Sequence, residues 1–205
     1  MTKIDEPLQE LRPHDLDGIS EDQIAQHWAL YEGYVKNVNI LEEKVDLLSW
    51  KGDFGPEFSE LKRRAGFEYN GMVLHEHYFG VLKAGQPPLK ENSALTEMIV
   101  KGFGSFEGWK KQFVAMGHMR GTGWVILYFD PRRRSLTNAW ISSHEEGHPS
   151  GFAPLLVMDV WEHAYMVDWG AAGRADYVAA FLRNVDWAKV EEKFGEVARC
   201  AAGVR

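Results

Sequence analysis

The chain contains one cysteine, Cys200, in 205 residues. A single thiol excludes an internal disulfide and any zinc or iron–sulfur site built from several thiolates. Long apolar runs are missing too. No stretch approaches the roughly 20 apolar residues of a membrane-spanning helix, so no membrane role is expected. The opening, MTKIDEPLQELRPHD, has no apolar centre of the kind that directs secretion, and a cytoplasmic protein is the expectation. Basic charge is in deficit: 23 Lys and Arg stand against 30 Asp and Glu, a formal net charge of −7. General affinity for nucleic acid is therefore not expected. What is present is a chain 45% hydrophobic, long enough to bury a proper core.

Helical patterns come first and strand patterns later. A polar, extended arm runs to Asp17. Ser20 followed by Glu21 and Asp22 offers a helix cap with acidic residues in the first turn. From Ile24 to about Leu48, apolar residues recur at helical intervals, through Trp28, Tyr31, Val35, Val38, Leu41 and Val45. A second helix is expected from about Pro56 to Leu82, with Gly66 and Gly71 as weak points. Residues 83–92, with Gly85, Pro87 and Pro88, form the expected boundary between a first domain (1–88) and a second (89–205). Residues 105–116 read as a helix. Residues 124–130 and 135–142 read as two strands joined by a turn carrying Arg132, Arg133 and Arg134, a solvated tip. Residues 155–160 form a third strand, apolar enough to be buried on both faces. Helices resume near 161–167, 176–183 and 187–200. The fold class is α+β: an N-terminal antiparallel α-hairpin, then an α/β part with a three-stranded antiparallel sheet.

The stretch PLLVMDVWEHAY, residues 154–165, carries the chemistry. Asp159 ends an apolar run and His163 follows four places on. Carboxylate oxygen with imidazole nitrogen suits a transition metal rather than calcium. Spacing alone is weak evidence, since most such pairs are surface hydrogen bonds. The phrase DVWEHAY, however, resembles the signature of the iron/manganese superoxide dismutases, in which both residues are metal ligands.

That resemblance implies further ligands. A histidine in the first helix precedes a Tyr-Val-x-x-x-Asn phrase, matched by His27 and by Tyr34–Val35 with Asn39. A histidine in the second helix has an aromatic residue four places later. His75 fits, with Phe79 where the family usually has Trp. Helical spacing cannot choose between His75 and His77, which point about 200° apart; the family phrase selects His75. His14, His77, His118 and His148 are left as surface or structural histidines.

Helix one departs from the family pattern, in which ligand and gateway tyrosine are eight apart. Here His27 and Tyr34 are seven apart. Seven residues of α-helix turn about 700°, leaving the two side chains within about 20°. The first helix should therefore run through this segment without the π-bulge that eight residues would need. A histidine that the family often places four after the first ligand is Tyr31 here, and its tyrosine partner after the HAY phrase is Met166. Arg120 stands where Phe is usual, and Gly173 looks like part of an insertion before Arg174–Tyr177.

The family also implies the remaining roles. His144, after the second strand, is the donor behind the ligands that tunes the metal. Tyr34 and His144 relay protons. Trp124, closing Gly121–Thr122–Gly123–Trp124, walls the site with Trp161 and Phe79. Glu162 reaches a ligand histidine, His163, of a second subunit, giving a homodimer. The cofactor is one iron ion per subunit, with manganese as the other option. The substrate is superoxide, an anion approaching an acidic protein, so a local positive entrance is needed, supplied by Arg174 or less directly by Lys36. A dismutase is the resulting expectation; the alternative is a metal-binding protein of this fold with little turnover. A two-histidine, one-carboxylate iron oxygenase is disfavoured by the fourth ligand.

Overall fold

The computed structural model describes residues 5–203, so the first four residues of the expected arm and residues 204–205 lie outside the described residues. Helix α1, Glu21–Lys51, starts where the acidic turn predicts. The Ser20 side chain accepts a hydrogen bond from Gln23 N at 3.1 Å, and Gly52, at φ 68°, takes the left-handed turn that ends the helix. Its first half buries Ile24, His27, Trp28, Tyr31, Val35 and Val38. Beyond Val38, Leu41, Val45 and Leu48 are half-buried, while Ile40, Leu47 and Trp50 are exposed.

Helix α2, Pro56–Phe79, carries Pro56 in its first turn and runs unbroken through Gly66 and Gly71, which are not the weak points expected. It ends three residues earlier than the pattern predicts. Lys83 N donates to Asn184 O and Asp186 N donates to Val81 O, so this segment pairs as an extended strip with the turn before the last helix. The linker that follows holds a helix the sequence reading missed: α3, Ala94–Phe103, capped by Ser93 and burying Leu95 and Ile99. Helix α4, Phe106–Gly117, buries Trp109 and Phe113.

Strands β1 (Trp124–Asp130), β2 (Ser135–Ile141) and β3 (Ala153–Asp159) form one antiparallel sheet in the order β2-β1-β3. The central strand is buried along its whole length, as is β3 from Leu155 onward. The register sets Trp124 opposite both Ile141 and Asp159, which brings a cavity-walling indole beside the carboxylate. Gly123, at φ 140°, cannot be replaced: an added Cβ would lie 2.0 Å from Ile141 O. After β3 come a 3₁₀ turn (Glu162–Ala164), the short α5 (Met166–Trp169), α6 (Arg174–Arg183) and α7 (Trp187–Gly203). A helical hairpin followed by an α/β part with a three-stranded antiparallel sheet is thus the observed architecture.

Candidate metal centre

His27 and His75 project from α1 and α2 into the space above the end of β3, where Asp159 is the last strand residue and His163 lies on the following 3₁₀ turn. One ligand atom from each lies within 4.8 Å of all the others. Asp159 Oδ2 is the shared point: His163 Nε2 is 3.0 Å away, His27 Nε2 3.1 Å and His75 Nε2 3.8 Å.

The side chains of Asp159 and His75 are held from behind, and His163 is held through its main chain, while His27 Nδ1 is buried without a partner. Asp159 Oδ1 accepts Trp161 N at 2.7 Å, and its carbonyl accepts the Tyr177 hydroxyl at 2.7 Å, so only Oδ2 is left for the cluster. His75 Nδ1–H donates to Gly71 O at 2.6 Å, which leaves an Nε2 lone pair buried and without a partner. Gln23, itself buried, donates to His163 O at 2.6 Å and accepts from Val167 N at 3.0 Å, fastening the ligand turn to α1. No motif announces Gln23 or Tyr177. Gln23's position one turn before His27, on the buried face, was the available signal.

Electrostatics favour the ligand forms. Burial pushes the Asp159 carboxyl up, but the charges and hydrogen bonds of His163 and His27 outweigh it and hold it below the usual carboxylate range. Burial lowers His27 against the pull of Asp159, and lowers His75 further, with His27 beside it adding to the effect. Ionised Asp159 and the three imidazole nitrogens make a donor set for a divalent or trivalent ion. The unpartnered Nε2 of His75 fits the same conclusion, because a buried lone pair aimed at a carboxylate is costly without a cation between them.

His77 points elsewhere, its Nδ1 accepting from Lys193 Nζ at 2.8 Å, so the structure settles the choice that spacing left open. Tyr34 and His27 lie on one face of an unbroken helix, their rings 5.2 and 5.0 Å from that of His75, with neither break nor bulge between them. Tyr34 Oη is 2.7 Å from His144 Nε2, and Trp124 Nε1–H donates to His144 Nδ1 at 3.1 Å. An indole can only donate, so Nδ1 is bare and the His144 proton sits on Nε2, donating to Tyr34. The Tyr34 hydroxyl hydrogen is then free to point elsewhere. Burial raises Tyr34 to about 12 and lowers His144 to about 4.

Aromatic walls close the cavity: Trp124 lies 5.1 Å from His75, Phe79 5.0 Å from His27, and Trp161 stacks on His163 at 5.9 Å. Phe67, unflagged by the sequence reading, packs 4.4 Å from His144 and 6.1 Å from Tyr34. Arg174 is half-buried, its guanidinium donating to the carbonyls of Met119, Gly121 and Val160. Lys36 and Glu162 are exposed. Tyr31 turns away from the ligands; its hydroxyl accepts Leu8 N at 3.0 Å and donates to Glu76 at 3.1 Å, while Met166 is exposed.

A single-metal site of three imidazoles and one carboxylate, set between a helical hairpin and a three-stranded sheet, defines the class. Comparison with known proteins identifies the family. Residues 91–193 match the model of the iron/manganese superoxide dismutases, C-terminal domain. The chain is 36% identical over 190 residues to an iron superoxide dismutase of Cupriavidus metallidurans, covering 91% of this chain and 94% of that protein. It is 35% identical to the iron superoxide dismutase of Aquifex pyrophilus (92% and 90% covered) and 36% identical to manganese superoxide dismutase 2 of Haloferax volcanii (86% and 85%). The chain belongs to the iron/manganese superoxide dismutase family.

Proposed function

We propose that this protein dismutates superoxide to dioxygen and hydrogen peroxide at one iron or manganese ion per chain. The observation that carries the reading is the meeting of three imidazole Nε2 atoms at Asp159 Oδ2, with His75 Nε2 buried and unpartnered. When bound, the metal supplies one-electron exchange, taking an electron from one superoxide and returning it to the next.

The chain's own groups do the rest. His27, His75 and His163 would hold the ion, and Asp159 offsets its charge. The aromatic walls keep water and stray ligands out, which strengthens every interaction inside. Peroxide formation consumes two protons. Tyr34 stays protonated at neutral pH because burial raises it to about 12, and His144 Nε2–H stands behind it to replace the proton it gives. Arg174, at the start of α6, is the proposed positive element near the entrance, with Lys36 the weaker one; its carbonyl contacts fix the position of the charge.

A homodimer through Glu162 and His163 belongs to this reading. It is supported by the 22% exposure of the His163 side chain, when the other three ligands are fully covered, and by exposed Met166 and Val167 nearby. A carboxylate from a second copy would orient His163 from its open side. Among the described residues, no helix is long and apolar enough to cross a membrane. The low cysteine content supports a cytoplasmic setting. The test is superoxide decay with protein loaded separately with iron and with manganese, against His75→Ala as control. Tight metal uptake without turnover would favour a metal-binding protein of this fold instead.

A further inference from the structure

His144 sits on the irregular segment 142–152 between β2 and β3, outside any strand ladder, yet its ring must meet Tyr34 and Trp124 at once. Its main chain is held by another residue of the same segment. His148 Nε2 lies 2.7 Å from His144 O, and His148 Nδ1 lies 2.6 Å from the Tyr128 hydroxyl. A carbonyl only accepts, so the His148 proton is on Nε2, and the bare Nδ1 takes the Tyr128 O–H. Trp124 and Tyr128 are four apart on β1, hence on one face of the strand. Strand β1 therefore grips His144 twice: Trp124 holds the ring, and Tyr128, through His148, holds the backbone.

We propose that His148 is a positioning residue for dismutation, which with Tyr128 sets the His144 main chain so that its Nε2–H points at Tyr34. This rests on the dismutase reading above and goes beyond it, since His148 touches neither ligand nor substrate. Releasing His148 frees the His144 carbonyl, the imidazole drifts from Tyr34, and replacement of the proton slows. Encounter with superoxide is unaffected, because the ligand set and the aromatic walls stay in place.

The experiment uses the full chain loaded with iron. His148→Phe removes both hydrogen bonds. His148→Gln keeps them, its amide nitrogen donating to His144 O and its amide oxygen accepting from Tyr128. Tyr128→Phe removes one hydroxyl and carries the test should His148→Phe not fold. Expected for His148→Phe is a kcat about tenfold lower at unchanged iron content and kcat/KM, with His148→Gln near the parent and Tyr128→Phe between. The proposal is overturned if both Phe variants keep kcat within about twofold, or if kcat and kcat/KM fall together as iron is lost.

Azide binding, followed by visible absorption of the ferric protein, needs no turnover and separates the two readings. An unaltered protein inert toward superoxide would defeat the dismutase reading alone. The positioning would still stand if His148→Phe, and not His148→Gln, changed the azide Kd, and would fall if neither did.

Discussion

Gly71 on α2 faces the ring of Tyr34 on α1 so closely that a Cβ at residue 71 would lie 2.6 Å from Tyr34 Cδ1. The same glycine's carbonyl takes the His75 Nδ1 proton at 2.6 Å. One residue without a side chain thus makes room for the proposed proton donor and fixes the tautomer of a ligand. Gly71→Ala should pit helix propensity, a gain of up to about 1 kcal/mol, against overpacking by a rigid ring, a loss of about 1–3 kcal/mol. Overpacking is expected to win. Thermal unfolding should show a lower midpoint, with slower turnover as Tyr34 moves from His144. A stabilised variant with full activity would contradict this.

Tyr34→Phe keeps the ring against His75 and removes only the hydroxyl. Turnover at saturating superoxide should fall by about 10–100-fold while bound metal is unchanged. Stopped-flow decay of superoxide measures it, and a rate equal to the parent would exclude Tyr34 from proton delivery.

Arg174→Ala leaves three carbonyls without their donor and should cost about 1–3 kcal/mol of stability. If its charge also draws superoxide inward, kcat/KM should lose part of its salt dependence as well. Chemical denaturation reads the first effect and activity across ionic strength the second. A variant less stable but with the parent's salt dependence would confine Arg174 to a structural role.

Acid should weaken the metal-free fold in a defined window. Burial lowers His144 to about 4 and His77 to about 3, from 6.5, so the folded state favours neutral imidazoles. The unfolded chain takes up protons first as pH falls through 6.5, so stability should be level above that and decline toward pH 4 and below. Asp159, depressed in the fold, adds stability present above its unfolded value of 3.8 and lost at lower pH. Melting temperature against pH checks the sign; a midpoint that rises on acidification from 6.5 would refute it.

Glu162→Ala tests the second copy. If Glu162 orients His163 across a two-fold axis, its loss should shift the protein toward monomer in sedimentation and weaken metal retention about 10–100-fold. A variant with the parent's assembly and metal affinity would remove Glu162 from the interface.

Much of this was legible before the structure, and the remainder was not for identifiable reasons. The hairpin, the strands and the unbroken α1 follow from local periodicity and from the seven-residue step between His27 and Tyr34. His75 and His77 could not be separated by spacing, because both turn inward, His75 buried toward the carboxylate and His77 half-buried toward Lys193 on α7. Helix α3 was missed because its ten residues follow a Gly- and Pro-rich stretch that reads as linker. The end of α2 was overrun because Val81 and Lys83 pair with residues a hundred positions on. Gln23, Phe67 and Tyr177 act through partners that only the tertiary fold brings near, and His148 depends in the same way on Tyr128.

The most direct measurement is metal content paired with superoxide decay on the same preparation, before metal removal, after it, and after reloading with iron or manganese. The account predicts about one ion per chain, fast decay that vanishes with the metal and returns on reloading, and neither metal nor activity in His75→Ala. A parent protein that holds one ion per chain yet removes superoxide no faster than His75→Ala would contradict it.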